Sequence, residues 1–421
     1  MNIAVIGSGG REHSICFKLK QSKHINKIFC IPGNAGTNKV AENINIDILD
    51  FKNISNFLKN NNIKVVFVGP EIPLVNGIKD YLEKKNFFVF GPSKAASRLE
   101  KSKSFTKKLC KKYKIPTAKY RSFSSMKGVR DYIKNMNTPI VIKADGLASG
   151  KGVYICNNKN IAFKKCKEIN EGKFKSSRKF VIEEFLSGEE ASYFILSDGK
   201  NYKFFGTAQD HKRIGEGDTG PNTGGMGAYS PSNIITNKVE EKIKKEIIEP
   251  TLKGLKILGC PFVGILYAGL IIKDNQPKLI EYNIRLGDPE CQVLMMRLKT
   301  DLLKIIIACK KKQINKLAIK WSNKKAITIV ASSKGYPSKQ SKVSEIKNTN
   351  KILLNNNQYL FHASTFNKNN RIFTSGGRVL NATAVNKNLR SGRNTCIDML
   401  KKINWKDKYF RKDIGWRVIN S

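Results

Sequence analysis

The segment KLIEYNIRLGDPE, Lys278–Glu290, is the stretch around which this sequence is organised. Its first half alternates in the manner of a β-strand, in which side chains two residues apart lie on the same face. Glu281 and Asn283 therefore face the same way, and Arg285 follows as the strand ends. Burying an acid, an amide and an arginine together is costly unless a metal ion or an anionic ligand accompanies them. The segment predicts a magnesium-nucleotide site, with a salt-bridge cluster at a sheet edge as the alternative.

The charge balance is strongly basic, with 77 Lys and Arg against 33 Asp and Glu and a net charge of +44 over 421 residues. The length predicts two to four domains. Basic residues occur in short runs along the whole chain, mixed with Asn and Ile, which favours solvated faces over a nucleic-acid patch. An RNA-binding protein, which would cluster basic residues with exposed aromatics, is the alternative from a different class. We expect no nucleic-acid partner and a monomer.

The acids are scarce but grouped. A composition that drifts towards Lys and Asn would retain acids mainly where they have a function. The grouped acids are Glu183, Glu184, Glu189, Glu190, Asp210, Glu216, Asp218, Glu281, Asp288 and Glu290.

The cysteines and the apolar runs indicate the compartment. Nine cysteines are scattered singly, without a CxxC pair, which favours reduced core thiols over a zinc site or a disulfide framework. The longest apolar runs, such as 261–272, are too short and too rich in Gly interruptions to span a bilayer. Met1 leads into a strand-like segment without the features of a signal peptide. We expect a cytoplasmic protein with no membrane partner.

The first hundred residues alternate strand-like and helix-like segments, including a helix over 74–85, which predicts an open parallel α/β sheet. Residues 7–12 follow the first strand, where backbone amides at a helix start could hold a phosphate. Glu occupies position 12 and no acid occurs in 13–41, so the pattern argues against NAD binding. The turns at 32–37 and 69–73 fall on the ligand-bearing edge of such a sheet, although ordinary Gly/Pro turns would look the same.

The middle of the chain begins with a helix over 101–114 and a strand that carries Lys143. The turn at 145–153 differs from a P-loop because Lys151 is followed by Gly152 and an apolar strand rather than by a helix. It predicts a glycine-rich flap whose amides, with the two lysines, could contact phosphates.

The segment 179–196 reads as strand, turn and strand. It predicts a hairpin whose backbone at 183–186 could pair with a purine, while Glu190 takes ribose hydroxyls; a solvated acidic hairpin is the alternative. The loop 209–229 is glycine-rich and charged, which is typical of a binding loop.

The rest of the chain predicts helices and short strands around the opening segment. We expect a helix over 238–258, a strand pair at 262–272 and 278–283, and one long helix over 290–312. The last hundred residues predict short β-strands and one helix over 388–402.

Seven segments, in one order, resemble the phosphoribosylamine–glycine ligase family, also called GAR synthetases, of the ATP-grasp superfamily. They are GSGGREH at 7–13, GPEIPLV at 69–75, IKADGLASGKGV at 142–153, EEFLSGEEAS at 183–192, QDHKRIGEGDTGPNTGGMGAYSP at 209–231, EYNIRLGDPE at 281–290 and SGGRVL at 375–380. The resemblance extends to RKDIGWR at 411–417 and so covers nearly the whole chain. Another ATP-grasp ligase or carboxylase is the second enzyme reading, and it should lack the GGRE and DTGPNTGG segments.

The resemblance implies an α/β protein of three domains. These are an N-terminal open parallel, Rossmann-like domain at 1–101 that binds phosphoribosylamine, an ATP-grasp domain at 102–322 with a small mobile flap at about 120–188, and a C-terminal β-rich α+β domain at 323–421. It also implies ATP-dependent ligation of glycine to 5-phosphoribosylamine through glycyl phosphate, in purine biosynthesis.

The resemblance further implies roles for individual residues. The metal, Mg²⁺ with Mn²⁺ as a substitute, would be held by Glu281 and Asn283. ATP would be bound by Lys103, Lys143, Gly150, Lys151, Gly152, Glu183, Phe185, Leu186 and Glu190. The acceptor phosphate would be bound by Gly9, Gly10, Arg11, Asn34, Pro70 and Glu71. Glycine would be bound by Arg285 and Asp288, and catalysis would involve Arg285, Asp210 and Lys212. His211 is interpreted either as a proton shuttle or as an anchor for its loop.

One departure from the superfamily concerns the metal. Many ATP-grasp enzymes carry a carboxylate on the strand before the metal motif, whereas 262–272 contains no acid. We therefore expect the metal to depend on Glu281, Asn283 and the phosphates of the nucleotide.

Overall fold

The computed structural model describes residues 1–147, 152–174, 177–338 and 342–419. The chain begins with an open parallel sheet, as the sequence predicts, and its five strands lie in the order β3-β2-β1-β4-β5. The strands are β1 Asn2–Gly7, β2 Ile28–Pro32, β3 Glu42–Asn43, β4 Ile63–Val68 and β5 Phe88–Phe90. The helices are α1 Gly10–Leu19, α2 Phe51–Asn60, α3 Glu71–Asn76 and α4 Ile78–Glu83. The prediction of one helix over 74–85 is wrong, because Gly77 adopts a left-handed conformation, φ 92°, between α3 and α4.

A four-stranded antiparallel sheet of order β6-β9-β7-β8 follows, where the sequence predicts the flap. Two helices lead into it, α5 Arg98–Lys101 and α6 Lys103–Lys112. Its elements are β6 Tyr120–Phe123, α7 Val129–Lys134, β7 Ile140–Ala144, β8 Val153–Cys156, α8 Lys159–Asn170 and β9 Phe180–Glu184. The apolar faces of α7 and α8 cover the sheet and form a core separate from the others.

The strands of the ATP-grasp region belong to a large antiparallel sheet. They are β10 Glu189–Asp198, β11 Tyr202–Asp210, β14 Gly227–Ser230, β15 Val263–Lys273 and β16 Gln276–Asn283. Between them lie the small hairpin β12 Arg213–Gly215 and β13 Thr219–Asn222, and the helices α9 Asn237–Lys242 and α10 Glu249–Ile257, joined by the π-helical turn Ile243–Ile248. The hairpin predicted over 179–196 is wrong. β9 pairs within the four-stranded sheet, whereas β10 lies between β11 and β15, so the turn between them joins two sheets.

The C-terminal strands continue the large sheet. The elements are α11 Glu290–Arg297, α12 Leu302–Lys310, β17 Lys325–Ser333, β18 Glu345–Ile346, β19 Gln358–His362, β20 Thr365–Lys368, β21 Arg371–Thr374, β22 Arg378–Asn386, α13 Leu389–Lys402, β23 Lys408–Tyr409 and α14 Trp416–Ile419. Because β17 pairs with β14, one sheet runs in the order β16-β15-β10-β11-β14-β17-β22-β19, and β23 adds to β17. β18, β21 and β20 form a separate small sheet.

The long helix predicted over 290–312 is also wrong, because the chain turns between α11 and α12. Leu298 forms a β-bridge with Trp321, and its carbonyl accepts a hydrogen bond from the Lys18 ammonium. Asp301 then caps α12 by accepting the Leu303 N–H at 2.9 Å. The break leaves α11 packed against α1, β14, β17 and β22, directly behind the opening segment. Within the described ranges, no helix has the length and apolar character needed to cross a bilayer.

Candidate active site

A cleft of about 740 Å³ is lined by residues from the N-terminal, middle and C-terminal thirds of the chain. Its lining includes Arg11, Glu71 and Glu100 from the N-terminal third, side chains from the four-stranded sheet and the large sheet, and Arg378 and Arg417 from the C-terminal third. The opening segment therefore lies at a junction of all parts of the fold.

Glu281 and Asn283 both line this cleft from β16. Burial alone would raise the pKa of the Glu281 carboxyl, but Lys212, Lys103 and Lys143 hold it below its usual value. An ionised carboxylate and an amide oxygen are suitable ligands for Mg²⁺. In the described part of the chain, no group of three or more His, Cys, Asp and Glu side chains forms a metal site. The residues present thus fit a cation that takes two protein ligands and completes its coordination elsewhere.

Arg285 is held between two acids from the N-terminal third. Its Nε lies 3.3 Å from Glu71 Oε2, and its NH2 lies 2.8 Å from Glu100 Oε1. The other oxygen of Glu100 accepts the Ile284 N–H at 2.8 Å. Burial raises the pKa of Glu100 against the opposing effect of Arg285. Glu100 was not predicted from sequence, because nothing local marks a carboxylate on a short helix as the partner of an arginine 185 positions later.

The lysines predicted to contact phosphate lie along one wall. Lys143 Nζ is 3.0 Å from Glu183 Oε2 and donates to the Ile280 carbonyl at 3.1 Å. Lys103 donates to the Gly146 carbonyl at 3.2 Å. Lys143, Lys103 and Gly152 all line the cleft. The predicted residues Gly150 and Lys151 lie outside the described residues.

Glu183 is buried and makes a second ion pair, with Lys107 at 3.2 Å, which the sequence did not indicate. Its Oε1 is buried without a hydrogen-bond partner among the described residues, so it can accept from a ligand. Phe185 and Leu186 line the same end of the cleft, and Phe185 is 42% exposed. An exposed aromatic ring at a cleft is available to a planar ligand.

Glu190 and Lys212 form an ion pair of 2.7 Å across the cleft. Burial would lower the pKa of Lys212, but Glu190 and then Tyr267 and Glu281 hold it well above its usual value. The residue predicted to bind ribose is therefore paired with one predicted to act in catalysis.

Asp210 ends β11 with its Oδ1 buried and without a partner among the described residues. Burial raises the pKa of Asp210 well above its usual value, and the Glu290 carboxylate adds to this effect. Glu290 itself accepts the Ser192 hydroxyl at 3.1 Å. Asp210 therefore retains a proton more readily than an exposed aspartate does.

Asp288 is bound by a residue of the C-terminal third. Arg378 NH1 donates to the Asp288 carbonyl at 2.5 Å, and its NH2 lies 3.6 Å from Asp288 Oδ2. Gln292 donates to Oδ1 at 2.8 Å. Arg378 belongs to the SGGRVL segment, which could have marked it as a site residue, although no role was assigned to it.

The structure separates the residues predicted to bind the acceptor phosphate. Arg11, Pro70 and Glu71 line the cleft, and Arg11 is paired with Glu12 at 2.6 Å. Asn34 uses its side chain within the chain: the amide donates to the Ser8 and His362 carbonyls at 2.8 and 3.0 Å, and the oxygen accepts from the amides of Gly36 and Thr37.

Gly9 and Gly10 lie in a crowded turn. The Gly9 N–H donates to Glu12 at 2.6 Å. A Cβ at Gly10 would lie 2.4 Å from the Asn381 amide and 2.6 Å from that of Gln292. This position therefore packs against β22 and α11. The phosphate-binding role of both glycines stays a prediction.

His211 is buried, and its Nε2 accepts the Gly415 N–H at 3.0 Å. Burial, with Arg411 nearby, lowers the pKa of His211 to about 4. A neutral imidazole bound to the backbone of the C-terminal segment supports the interpretation as an anchor.

Three family models match the chain in succession. The phosphoribosylglycinamide synthetase N domain matches residues 1–100, the ATP-grasp (A) domain matches 101–291 and the C domain matches 326–417. The chain belongs to the phosphoribosylglycinamide synthetase family. The resemblance drawn from the seven segments is thereby confirmed.

Relatives in this family match over the full length. A phosphoribosylamine–glycine ligase of Mesorhizobium japonicum is 47% identical over 420 residues, covering 100% of this chain and 99% of the relative. A chloroplastic phosphoribosylamine–glycine ligase of Arabidopsis thaliana is 46% identical, covering 97% of this chain and 79% of the relative. The crystal structure of phosphoribosylamine–glycine ligase from Thermotoga maritima has a TM-score of 0.85 at 30% identity, covering 98% of this chain and 100% of that one.

The fold of this synthetase family extends to a carboxylase. The biotin carboxylase domain of 2-oxoglutarate carboxylase from Hydrogenobacter thermophilus, solved with MgADP and bicarbonate, has a TM-score of 0.75 at 15% identity. It covers 100% of this chain and 94% of that one. This likeness shows the shared ATP-grasp fold alone.

Proposed function

We propose that this chain joins glycine to 5-phosphoribosylamine at the expense of ATP, giving glycinamide ribonucleotide, ADP and phosphate. One observation carries the proposal: Glu281, Asn283 and Arg285 share a cleft with Lys103, Lys143 and Lys212. A site of this kind neutralises the charge of a transferring phosphoryl group without a protein nucleophile.

The reaction has two balanced steps. A carboxylate oxygen of glycine attacks the γ-phosphorus of ATP, the bond to the β,γ-bridging oxygen breaks, and glycyl phosphate and ADP result. The amine nitrogen of phosphoribosylamine then attacks the carbonyl carbon of glycyl phosphate. Phosphate leaves with the electron pair of the broken C–O bond, and the new amide nitrogen loses a proton.

We assign the nucleotide to the end of the cleft between the two sheets. The backbone of Phe185 and Leu186, with the available Oε1 of Glu183, would bind adenine, and Glu190 the ribose. Lys103, Lys143 and the flap, with Gly150, Lys151 and Gly152, would bind the phosphates. Point charges and backbone amides suit phosphate oxygens.

Glu281 and Asn283 would hold the metal, Mg²⁺ with Mn²⁺ as a substitute. A divalent cation there supplies charge neutralisation at the phosphates of ATP. Lys212, Lys103 and Lys143 keep Glu281 ionised and so keep the ligand ready.

Arg285 and Asp288 would bind glycine, and Arg285 would also stabilise the acyl phosphate. Its existing partners, Glu71, Glu100 and the Leu286 carbonyl, hold the guanidinium in place and leave one N–H of NH1 and one of NH2 to the substrate. Asp210 and Lys212 would close over the reacting centre, where exclusion of water protects glycyl phosphate from hydrolysis.

The N-terminal turns would bind the phosphate of phosphoribosylamine through Gly9, Gly10, Arg11, Asn34, Pro70 and Glu71. Of these, Arg11 is the cation in the cleft, and Asn34 acts by fixing its own turn.

We divide the chain into domains at 1–101, 102–322, with the mobile flap at about 120–188, and 323–421. We further propose a monomer in the cytoplasm that acts on small molecules, without nucleic-acid partners; its nine buried free thiols suit a reducing compartment.

Measurement of ADP release with glycine, phosphoribosylamine and Mg²⁺ tests the proposal. Wild type should require both substrates, and Glu281→Gln should lose turnover. Glu171→Gln is the matched control, because this acid is exposed and pairs only at 3.7 Å with Lys167. Turnover that does not require phosphoribosylamine would point instead to another ATP-grasp ligase or carboxylase.

A further inference from the structure

The loop between β11 and β14 is held in place by the C-terminal end of the described chain. This loop, residues 211–226, carries Lys212 and begins directly after Asp210, the last residue of β11. The segment 409–417, here named the C-terminal clasp, contacts the loop along the hairpin formed by β12 and β13. The RKDIGWR segment lies in the clasp; its Arg417 lines the cleft, but the proposed reaction assigns the segment no role.

Arg411 is the centre of the clasp and is completely buried. Its Nε and NH2 donate to the two oxygens of Asp413, each at 2.8 Å. Its NH1 donates to Asp218 Oδ1 at 2.8 Å and to the Arg213 carbonyl at 3.0 Å. A planar guanidinium can satisfy all of these acceptors at once, which a lysine cannot.

Asp218 is shared by three donors of the clasp. Besides Arg411, Trp416 Nε1 donates to Oδ2 at 3.1 Å, and Arg417 NH2 lies 2.7 Å from the same oxygen. Asp413 in turn accepts the Gly217 N–H at 2.8 Å. Two arginines and two aspartates therefore form a network that spans both segments, with Arg411 buried at its centre and Arg417 exposed at its edge. Leaving the buried guanidinium without its partners would be costly.

The loop has little structure of its own to fix its position. Gly217, Gly220 and Gly225 have positive φ, and so does Asp218 at 57°. A hairpin of three and four residues is marginal without external support. The base of the loop is fixed by backbone hydrogen bonds of His211 with Gly227 and Met226, so the contacts of the clasp determine where the hairpin lies.

The connection from Arg411 to the cleft is short. Arg411 binds the carbonyl of Arg213, the residue next to Lys212. The Lys212 carbonyl accepts from both the N–H and the hydroxyl of Thr223, at 2.7 and 2.8 Å, which ties the two ends of the loop together. A shift of the hairpin would thus move Lys212 away from Glu190 and Glu281.

We propose that Arg411 is a positioning residue: through the C-terminal clasp it fixes the hairpin that follows Lys212 and so places Lys212 at the reacting centre. The proposal rests on the catalytic assignment of Lys212 in the proposed function.

The first test compares Arg411→Met with Arg390→Met. Arg390 is the control because it donates to the carbonyl of Ile419, near the same end of the chain, but has no contact with the loop among the described residues. We expect Arg411→Met to lower kcat about a hundredfold, the scale of a 1 Å misplacement, with the KM for ATP nearly unchanged. Arg411→Lys should restore part of kcat, and Arg390→Met should behave as wild type.

The second test separates positioning from general stability. If Arg411 acts through Lys212, then Arg411→Met should lower kcat far less in a Lys212→Met background than in wild type. Hydrogen exchange of the amides at 213–223 should accelerate in Arg411→Met without ligands, whether or not the enzyme turns over. If Arg411→Met does not fold, both tests are made with Asp413→Asn instead, which weakens the same network.

An unchanged kcat in a folded Arg411→Met variant, or additive losses with Lys212→Met, would overturn the proposal. Failure of the proposed function looks different, because wild type itself would then not require glycine and phosphoribosylamine. In that case the exchange rates at 213–223 still report whether the clasp fixes the loop.

Discussion

Arg285 is bound on two sides by carboxylates from the first hundred residues of the chain. Glu71 and Glu100 occupy its Nε and one NH2 group, so the guanidinium is already oriented before any substrate arrives. An oriented group of this kind loses little entropy when it binds a carboxylate. The position of Arg285, and not its charge alone, is what the N-terminal third contributes.

Arg285→Lys tests this view of the residue. A lysine keeps the charge but cannot reach both acids and a substrate, so the variant should lose about 2 kcal/mol of glycine binding in the transition state. We expect kcat/KM for glycine to fall roughly thirtyfold. Calorimetric affinity for ATP should change little. Equal losses for glycine and ATP would contradict the assignment.

Glu281 and Asn283 also permit a prediction about the metal. Only two protein ligands are available on β16, and 262–272 contributes no acid. Mg²⁺ should therefore bind weakly to the protein alone and much more tightly with ATP, whose phosphates complete the coordination. Calorimetric titration of Mg²⁺ with and without a non-hydrolysable ATP analogue measures the difference; tight binding without nucleotide would refute it.

At the scale of elements, the break between α11 and α12 separates a helix that supports the cleft from one that supports the N-terminal sheet. Asp301 fixes the break: one carboxylate oxygen caps α12 and the other accepts the Ser22 hydroxyl at 2.7 Å. Lys18, on α1, also stabilises the break, because its ammonium donates to the Leu298 carbonyl. The helix periodicity continues across 298–301, and only these tertiary partners interrupt it.

Asp301→Ala should lower the free energy of unfolding by about 1 kcal/mol, because an N-cap and its side-chain partner are lost. Asp301→Asn keeps a capping oxygen and should stay close to wild type. Denaturant unfolding of both variants gives the comparison. Turnover should remain near wild type in both variants, since Asp301 does not line the cleft. A large loss of activity would show that the break also positions α11.

At the scale of the molecule, three of the four histidines are buried. Burial lowers the pKa of His13, of His211 to about 4 and of His362 to about 3. The unfolded chain takes up these protons near the ordinary histidine pKa of 6.5, whereas the folded chain does not. Stability is therefore complete above pH 6.5 and is lost as the pH falls from 6.5 towards 4.

The predicted slope is up to about 1.4 kcal/mol per pH unit for each buried histidine. Thermal unfolding between pH 7 and pH 4.5 measures it. His362→Gln should make the dependence shallower, whereas His24→Gln, at an exposed position, should leave it as in wild type. A slope that does not respond to His362→Gln would contradict the prediction.

Much of the fold follows from local pattern. The parallel type of the first sheet follows from the alternation of strand-like and helix-like segments. The strand pair that leads into the opening segment, with Glu281 and Asn283 on one face, follows from apolar alternation. The predictions that fail concern which elements pair or stop. The strand pattern of β9 and β10 is the same whether they form a hairpin or enter two sheets.

The sequence by itself determined the family, the functional groups that Glu281, Asn283 and Arg285 bring to the end of β16, and the type of most elements, because residue type and periodicity are local properties. The tertiary structure decided which charges meet. Glu100 contacts Arg285, Arg378 contacts Asp288 and Arg411 contacts Asp218, and the partners of each pair are at least 90 residues apart in sequence. Such pairs are formed by packing, since the energy of a buried charge depends on neighbours that no local pattern specifies.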